Sequence, residues 1–404
     1  MRIAVFEKLV PGGAWRAFEE LTKGLTKNHT IDIYTFFFNN EACPNIGVSN
    51  NIFKFKVNRL YLRQPFGFLN MFMNFINLYL LDRLYLKISK IIDSKKYTAV
   101  VVHAGYYDYI HTPGLLRFLR TPKIYFCQEP FHRYFEYDPF QKPWLSFNIK
   151  SLFYLFNIFL SKIYRYVFYL YDRINIRHAD LVLCNSFYTR EYIRKEYSIS
   201  AQVNYLGVDA DRFRPLGLER QNLILSVGHL TYRKSHHFVL EAIERLDPRI
   251  RPTLVIINFP VSPNDFYKKY IKNLALRKNV EILFYENISD DELILLYNKA
   301  KLTACAYRNE PFGLVILESL ACATPVVAVK EGGIPEIIID HQTGILVKRD
   351  IRAFSSAIDY LLKEDLIREK MGENARKDVL ERWTWQRSVK DLENNLYSLL
   401  KEKR

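Results

Sequence analysis

Two glutamates eight positions apart, Glu310 and Glu318, flank Pro311-Phe312-Gly313 and the start of an apolar run, Leu314-Val315-Ile316-Leu317. Pro311 and Gly313 can open a helix, and the first amides of a helix have no internal acceptor, so its N-terminus is a ready anion site. Glu310 precedes that helix and Glu318 follows about two turns on, so both carboxylates can border one cleft. Anion binding beside paired carboxylates is the chemistry this spacing offers. Glycoside hydrolysis also uses two such acids, but the strand-helix context lacks its acid/base loop pattern. Beyond lies Pro325-Val326-Val327-Ala328-Val329, which reads as a parallel strand buried on both faces. Gly332-Gly333 then permits close backbone approach at the strand's carboxyl end, where open α/β sheets bind ligands. The plain alternative is an α/β unit with a glycine turn.

The elements that must position these residues alternate strand and helix along the chain. Residues 2–6 form a first apolar strand, too short for a signal peptide, and Gly12-Gly13 leads into an amphipathic helix over 14–25 and a strand over 31–37. No Gly-x-Gly-x-x-Gly follows the first strand, which argues against a dinucleotide site. Buried strands are expected at 97–103 and 122–127, the second running into Gln128-Glu129-Pro130-Phe131-His132-Arg133. Ala179-Asp180-Leu181-Val182-Leu183-Cys184 ends on Asn185-Ser186, a good helix cap. A second domain is expected from about residue 221, its first strand leading into Gly228-His229-Leu230-Thr231-Tyr232-Arg233-Lys234. Ser289 with Glu292 spells a capping box, and amphipathic helices close the chain.

Taken together, these stretches resemble the retaining glycosyltransferases of family 4. The likeness is carried by the glutamate, Pro-Phe-Gly and second glutamate from Glu310 to Glu318, then by Thr324-Pro325-Val326 and Gly332-Gly333-x-x-Glu336. It is extended by Gly207-Val208-Asp209 with Arg212-Phe213 as the linker between domains, and by Trp383-Thr384-Trp385 near the end. The resemblance implies an α/β GT-B fold, two Rossmann-like domains facing a central cleft. Residues 1–207 would bind the acceptor, 208–385 a nucleotide-sugar donor, and 386–404 would pack back on the first domain. Glu310 would orient the sugar's hydroxyls, with Phe312 and Gly313 backbone against the same sugar. The Leu314 and Val315 amides would hold the diphosphate beside Lys234, and Glu318 would accept hydrogen bonds from the ribose. Gly12 and Gly13 would meet the diphosphate across the cleft. The family has an arginine where His229 stands; His229 joins Glu310 and Lys234 in the catalytic set, and Arg233 can compensate for the lost guanidinium. The family's acceptor-side histidine is replaced by Gln128, so Gln128, Glu129, His132 and Arg133 are the acceptor-side candidates. No metal is expected, because the Asp209-x-Asp211 string lies inside the linker, and no cofactor is bound tightly. A GDP- or UDP-hexose is the co-substrate. Two rivals remain: another GT-B enzyme such as an epimerase, and a catalytically weak partner of a second transferase.

Composition sets the surroundings. The 404 residues carry a net charge of +15, with 49% hydrophobic and 15% aromatic residues. Five scattered cysteines without Cys-x-x-Cys spacing read as free thiols in a reducing compartment. No nucleic-acid motif accompanies the basic balance, so the expected partner is an anionic membrane surface. The stretch 141–177 is aromatic and cationic (Lys150, Lys162, Arg165, Arg173, Arg177), with Asp172 its one acid, as an interfacial helix would be. The uninterrupted apolar part of 66–86 is too short to span a bilayer and reads as a buried or interface-lying helix. The expected place is therefore cytoplasmic, peripheral on the inner face of a membrane, with a glycan or lipid-linked acceptor.

Overall fold

The computed structural model describes residues 1–8, 12–37, 51–57, 70–104, 106–107, 110–130, 153–259 and 265–403. Two parallel sheets dominate it. The first has the order β3-β2-β1-β4-β7-β8-β9, built from β1 (Arg2–Glu7), β2 (Thr30–Phe37), β3 (Asn51–Lys56), β4 (Ala99–His103), β7 (Lys123–Cys127), β8 (Leu181–Cys184) and β9 (Gln202–Val203). A short antiparallel pair, β5 (Tyr106–Tyr107) and β6 (Ile110–His111), lies beside it. The second sheet runs β12-β11-β10-β13-β14-β15, from β10 (Gln221–Val227), β11 (Thr253–Asn258), β12 (Ile282–Glu286), β13 (Ala300–Cys305), β14 (Val326–Val329) and β15 (Gly344–Val347). In each sheet the strand order reverses beside the first strand, between β1 and β4 and between β10 and β13. Such a switch point opens a crevice at the strands' carboxyl ends. The fold class expected from the sequence is the one observed.

Period-two alternation explains how each sheet is covered. Ile3 and Val5 enter one core with Phe18 and Leu21 of α1 (Gly13–Leu25), while Ala4 and Phe6 enter another on the opposite face. That opposite face is layered by α2 (Asn70–Ser94), α3 (Phe153–Ile176) and α4 (Phe187–Tyr197). The second sheet is flanked on one side by α5 (His236–Glu244), α6 (Asp265–Lys278) and α10 (Ile351–Lys363). Its other side carries α7 (Asp290–Lys299), α8 (Leu314–Ala321) and α11 (Asp365–Arg382), with the one-turn α9 (Ile334–Ile337) after β14. The last helix, α12 (Trp385–Glu402), returns to the first half and packs Val389 against Gly24 of α1. His29 Nε2 and Glu393 Oε1 meet there at 2.9 Å.

Local signals place the helix starts. Ser186 accepts from the Thr189 amide, and Ser289 and Glu292 complete the expected capping box. Asp172, the one acid of the stretch expected to lie at a membrane interface, faces inward instead. It is fully buried, with Oδ1 2.8 Å from His111 Nδ1. A short acid on a helix facing the sheet is stable there only with such a partner.

Candidate functional site

Glu310 sits on the loop after β13, held by the glycine turn after β14. The Gly333 amide donates to the Glu310 carbonyl at 2.7 Å. Gly332 has φ +66°, and a Cβ there would lie 2.1 Å from that same carbonyl oxygen. Only glycine fits both the left-handed backbone and the approach. The turn therefore fixes the backbone from which the Glu310 carboxylate projects.

Facing it, the loop after β10 delivers Lys234. Its Nζ is 2.9 Å from Glu310 Oε2 and 4.3 Å from the centroid of the Tyr307 ring. Gly228, at φ +144°, lets the lysine stem lie against the backbone, since a Cβ would meet its methylenes at 3.1 Å. The Arg308 amide donates to the Arg233 carbonyl at 2.8 Å and joins the two loops. His229 lies beside them, 2.5 Å through Nδ1 from the Phe259 carbonyl. Burial, then Lys234, pushes its pKa below the ordinary value. That shift favours the neutral imidazole, with Nδ1–H donated to the carbonyl and Nε2 left as an acceptor. Arg233 pairs with Glu129 of the first half at 2.8 Å.

Gly313, at φ +122°, caps α8 without a side chain, so the Leu314 and Val315 amides open the helix. The glycine loop of the first half reaches this point. A Cβ on Gly13 would touch Leu314 at 3.4 Å, and one on Gly12 would lie 3.7 Å from His229 Nε2. Gly12, Gly13, His229, Lys234, Glu310 and the α8 start thus converge at the second sheet's switch point. Gln128 is buried beside the glycine loop: its side chain donates to the Ala14 carbonyl at 3.3 Å, and its backbone carbonyl accepts from the Asn185 side chain at 3.0 Å. His132 and Arg133 lie outside the described residues.

Glu318, 4% exposed, lines a pocket between the halves with Arg16, Asp209, Arg212, Asp290 and Trp385. Burial pushes its carboxyl pKa up, against the opposing pull of Arg16 and the Tyr297 hydroxyl. One oxygen accepts from Arg16 of α1 and the other from Tyr297 at 3.2 Å. The same guanidinium donates to Asp290 at 2.5 Å, and Arg212 completes the network at 2.6 Å from Asp290 and 3.1 Å from Asp291. A second tie joins the halves through Glu336, which accepts from the Phe187 and Tyr188 amides and the Tyr205 hydroxyl, each at 2.8 Å. Beside it Ser186 donates to the Pro311 carbonyl at 2.6 Å. Sequence reasoning assigned no site role to Arg16 or Asp290. The sole signal was that Arg16 follows the paired glycines by three positions.

Known proteins bear on this arrangement. The profile of Glycosyltransferase Family 4 matches residues 11–212 and that of Glycosyl transferases group 1 matches residues 208–378. An uncharacterized glycosyltransferase of Methanocaldococcus jannaschii is 31% identical over 185 residues, 45% of this chain and 46% of that protein. The GDP-mannose-dependent alpha-(1-6)-phosphatidylinositol monomannoside mannosyltransferase of Mycolicibacterium smegmatis is 29% identical over 228 residues, 51% of this chain and 59% of that one. The chain spans about half the length of the curated relatives it matches. Among solved structures, sucrose-phosphate synthase of Thermosynechococcus elongatus has a TM-score of 0.74 at 18% identity, over 100% of both chains. Anabaena HepE in complex with UDP and glucose has a TM-score of 0.68 at 16% identity, over 98% of this chain and 100% of that one. At such identities the likeness is one of fold, the two-domain GT-B arrangement.

Proposed function

This chain belongs to glycosyltransferase family 4, the group 1 glycosyl transferases, and from that premise we propose that it moves a hexose from a nucleotide-sugar, GDP- or UDP-linked, to a hydroxyl of a lipid-linked or cell-surface glycan with retention of configuration. The observation that carries this reading is the convergence of Glu310, Lys234 and the α8 start at one switch point, with the first half's glycine loop set against it. A cation and helix amides together stabilise the charge on a departing diphosphate. As the bond from the sugar's C1 to the phosphate oxygen breaks, the acceptor oxygen bonds to C1, and its proton leaves with the nucleoside diphosphate. Glu310 orients the sugar hydroxyls, and Glu318 accepts from the ribose, since a carboxylate can take two hydroxyl protons at once. His229, neutral, offers Nε2 as a hydrogen-bond acceptor and adds no positive charge.

The acceptor assignment draws on the outer layer of the first half. Along α2 the exposed residues recur at helical spacing as Ile76, Tyr79, Leu80, Arg83, Leu86, Lys87 and Lys90. On α3, in the same layer, Ile163, Tyr166 and Ile174 are exposed. The two helices touch through Phe75 and Phe168, and through Tyr171 and Asp82. No described helix is long and apolar enough to cross a membrane. Apolar and aromatic side chains interleaved with cations suit the surface of an anionic bilayer, and the proposed place is its inner face.

Calorimetric titration with a panel of UDP- and GDP-hexoses tests the donor reading. Saturable binding of one donor, lost in Glu318→Ala, is expected. A folded protein that binds none of them would overturn it in favour of the catalytically weak partner.

A further inference from the structure

Arg16 and Glu318 come from different halves of the molecule, yet they form one ion pair inside the pocket between them. Both oxygens of Glu318 are engaged, one by the guanidinium and one by the Tyr297 hydroxyl. Arg16 itself is held from three sides: by Glu318, by Asp290, and by the Phe213 ring 5.7 Å away. Asp290 is fixed in turn by Arg212. This is a planar donor pre-organised between two carboxylates on separate elements, α7 and α8, of the second half. Its stem leaves α1, so the contact spans the cleft. A side chain so placed fills the space beside the oxygen that a ribose diol would have to reach.

We propose that Arg16 is an internal competitor for the ribose subsite, so that a nucleotide binds only by displacing the guanidinium from Glu318 and, with it, one of the ties between the two halves. This rests on the assignment of Glu318 as the ribose acceptor. The competition follows from the geometry: Arg16 and a ribose both donate to the same carboxylate, and the guanidinium stands in the cleft. Nucleotide affinity is then reduced by the fraction of molecules in which the pair is formed, and removing the competitor restores it. Without Arg16 the buried carboxylate keeps the Tyr297 hydroxyl as its donor from this network, and the ribose diol supplies what is missing. Donor binding and loosening of the cleft are thereby linked through one side chain.

The experiment is calorimetric titration of the full chain with UDP, GDP and inorganic pyrophosphate, which carries no ribose. Wild type is compared with Arg16→Met, Arg16→Lys and Glu318→Ala. Arg16→Met is expected to bind the preferred nucleoside diphosphate about tenfold more tightly with pyrophosphate binding unchanged, as removal of a pair engaged in roughly nine molecules of ten requires. Arg16→Lys keeps a cation but cannot fork between Glu318 and Asp290, and a smaller gain, about threefold, is expected. It also guards against a folding defect in the methionine variant. Nucleotide binding equal to or weaker than wild type in both variants, while Glu318→Ala still abolishes it, would overturn the competition alone. Weaker pyrophosphate binding in Arg16→Met would do the same, by showing that the guanidinium holds phosphate. Undiminished nucleotide binding in Glu318→Ala would instead remove the ribose assignment on which both readings stand.

Discussion

Lys234 Nζ is placed between two acceptors of positive charge, 2.9 Å from Glu310 Oε2 and 4.3 Å from the Tyr307 ring centroid. Both contacts are made at the mouth of the site, where a diphosphate would add a third. Lys234→Met keeps the stem's packing against Gly228 but removes the cation and leaves the Glu310 carboxylate without it. We expect kcat to fall about 10²- to 10³-fold, the usual cost of losing one transition-state charge donor. Turnover with the preferred donor, read beside an unchanged far-ultraviolet spectrum, measures this; a loss under threefold would show that the lysine is structural.

Two glycines with nearly the same φ give a controlled comparison. Gly332 has φ +66° and Gly217 φ +67°, but a Cβ on Gly332 meets backbone at 2.1 Å while one on Gly217 meets no described residue within 4 Å. Gly217→Ala should cost only the left-handed penalty, about 1 kcal/mol. Gly332→Ala must also displace the Glu310 loop, so we expect more than about 3 kcal/mol and loss of activity. Urea titration of both variants checks the difference; equal costs would mean that the loop yields freely.

Glu336 holds the start of α4 from the other half of the molecule, with three donors on one carboxylate. Glu336→Ala leaves two helix-start amides and the Tyr205 hydroxyl without it, at a cost of about 2 kcal/mol. Because the contact crosses between halves, the same variant should enlarge the radius of gyration in solution scattering. An unchanged scattering curve would show that the remaining ties suffice.

Much of this was legible in the sequence, for identifiable reasons. The α/β character follows from short apolar runs that alternate with amphipathic segments, and the Glu310–Glu318 stretch joins backbone demands to charges within a dozen residues. Arg16, Glu129 and Glu336 act instead through partners more than 100 positions away. No local pattern specifies such pairings, because they depend on how the halves are set together. The burial of Asp172 was hidden for a related reason: its partner, His111, lies on another element. The lowered pKa of His229 likewise depends on burial that only the folded chain provides.

Burial lowers the pKa of His103 to about 3 and that of His236 to about 4. A depressed folded pKa contributes stability above the unfolded value, near 6.5, and that stability is lost as pH falls toward the folded value. Between pH 6.5 and 4 each histidine should remove up to about 1.4 kcal/mol per pH unit. His103 packs its ring on Phe18 and Phe126, and its Nδ1 has no hydrogen-bond partner among the described residues. His103→Phe should therefore keep the packing and flatten the acid limb of the melting curve. An unaltered slope would place the acid sensitivity elsewhere.

The outward stripe of α2 should carry much of the lipid affinity. Reversing Arg83, Lys87 and Lys90 to glutamate removes three attractions of about 1 kcal/mol each and adds repulsion. Sedimentation with phosphatidylglycerol vesicles should drop from mostly bound to mostly free, while binding to neutral vesicles stays low in both proteins. Equal sedimentation of variant and parent would dismiss this face.

The return of α12 to α1 orders events during synthesis. Phe18, Leu21 and Leu25 share their core with Val389, Leu392, Leu396 and Leu399. Those four residues leave the ribosome only after the whole second half has been made. Until then the first half waits with an oily flank uncovered, a window in which chaperones, proteases or a neighbouring nascent chain could engage it. A helix made after the second half thus acts as the closing seam of the first.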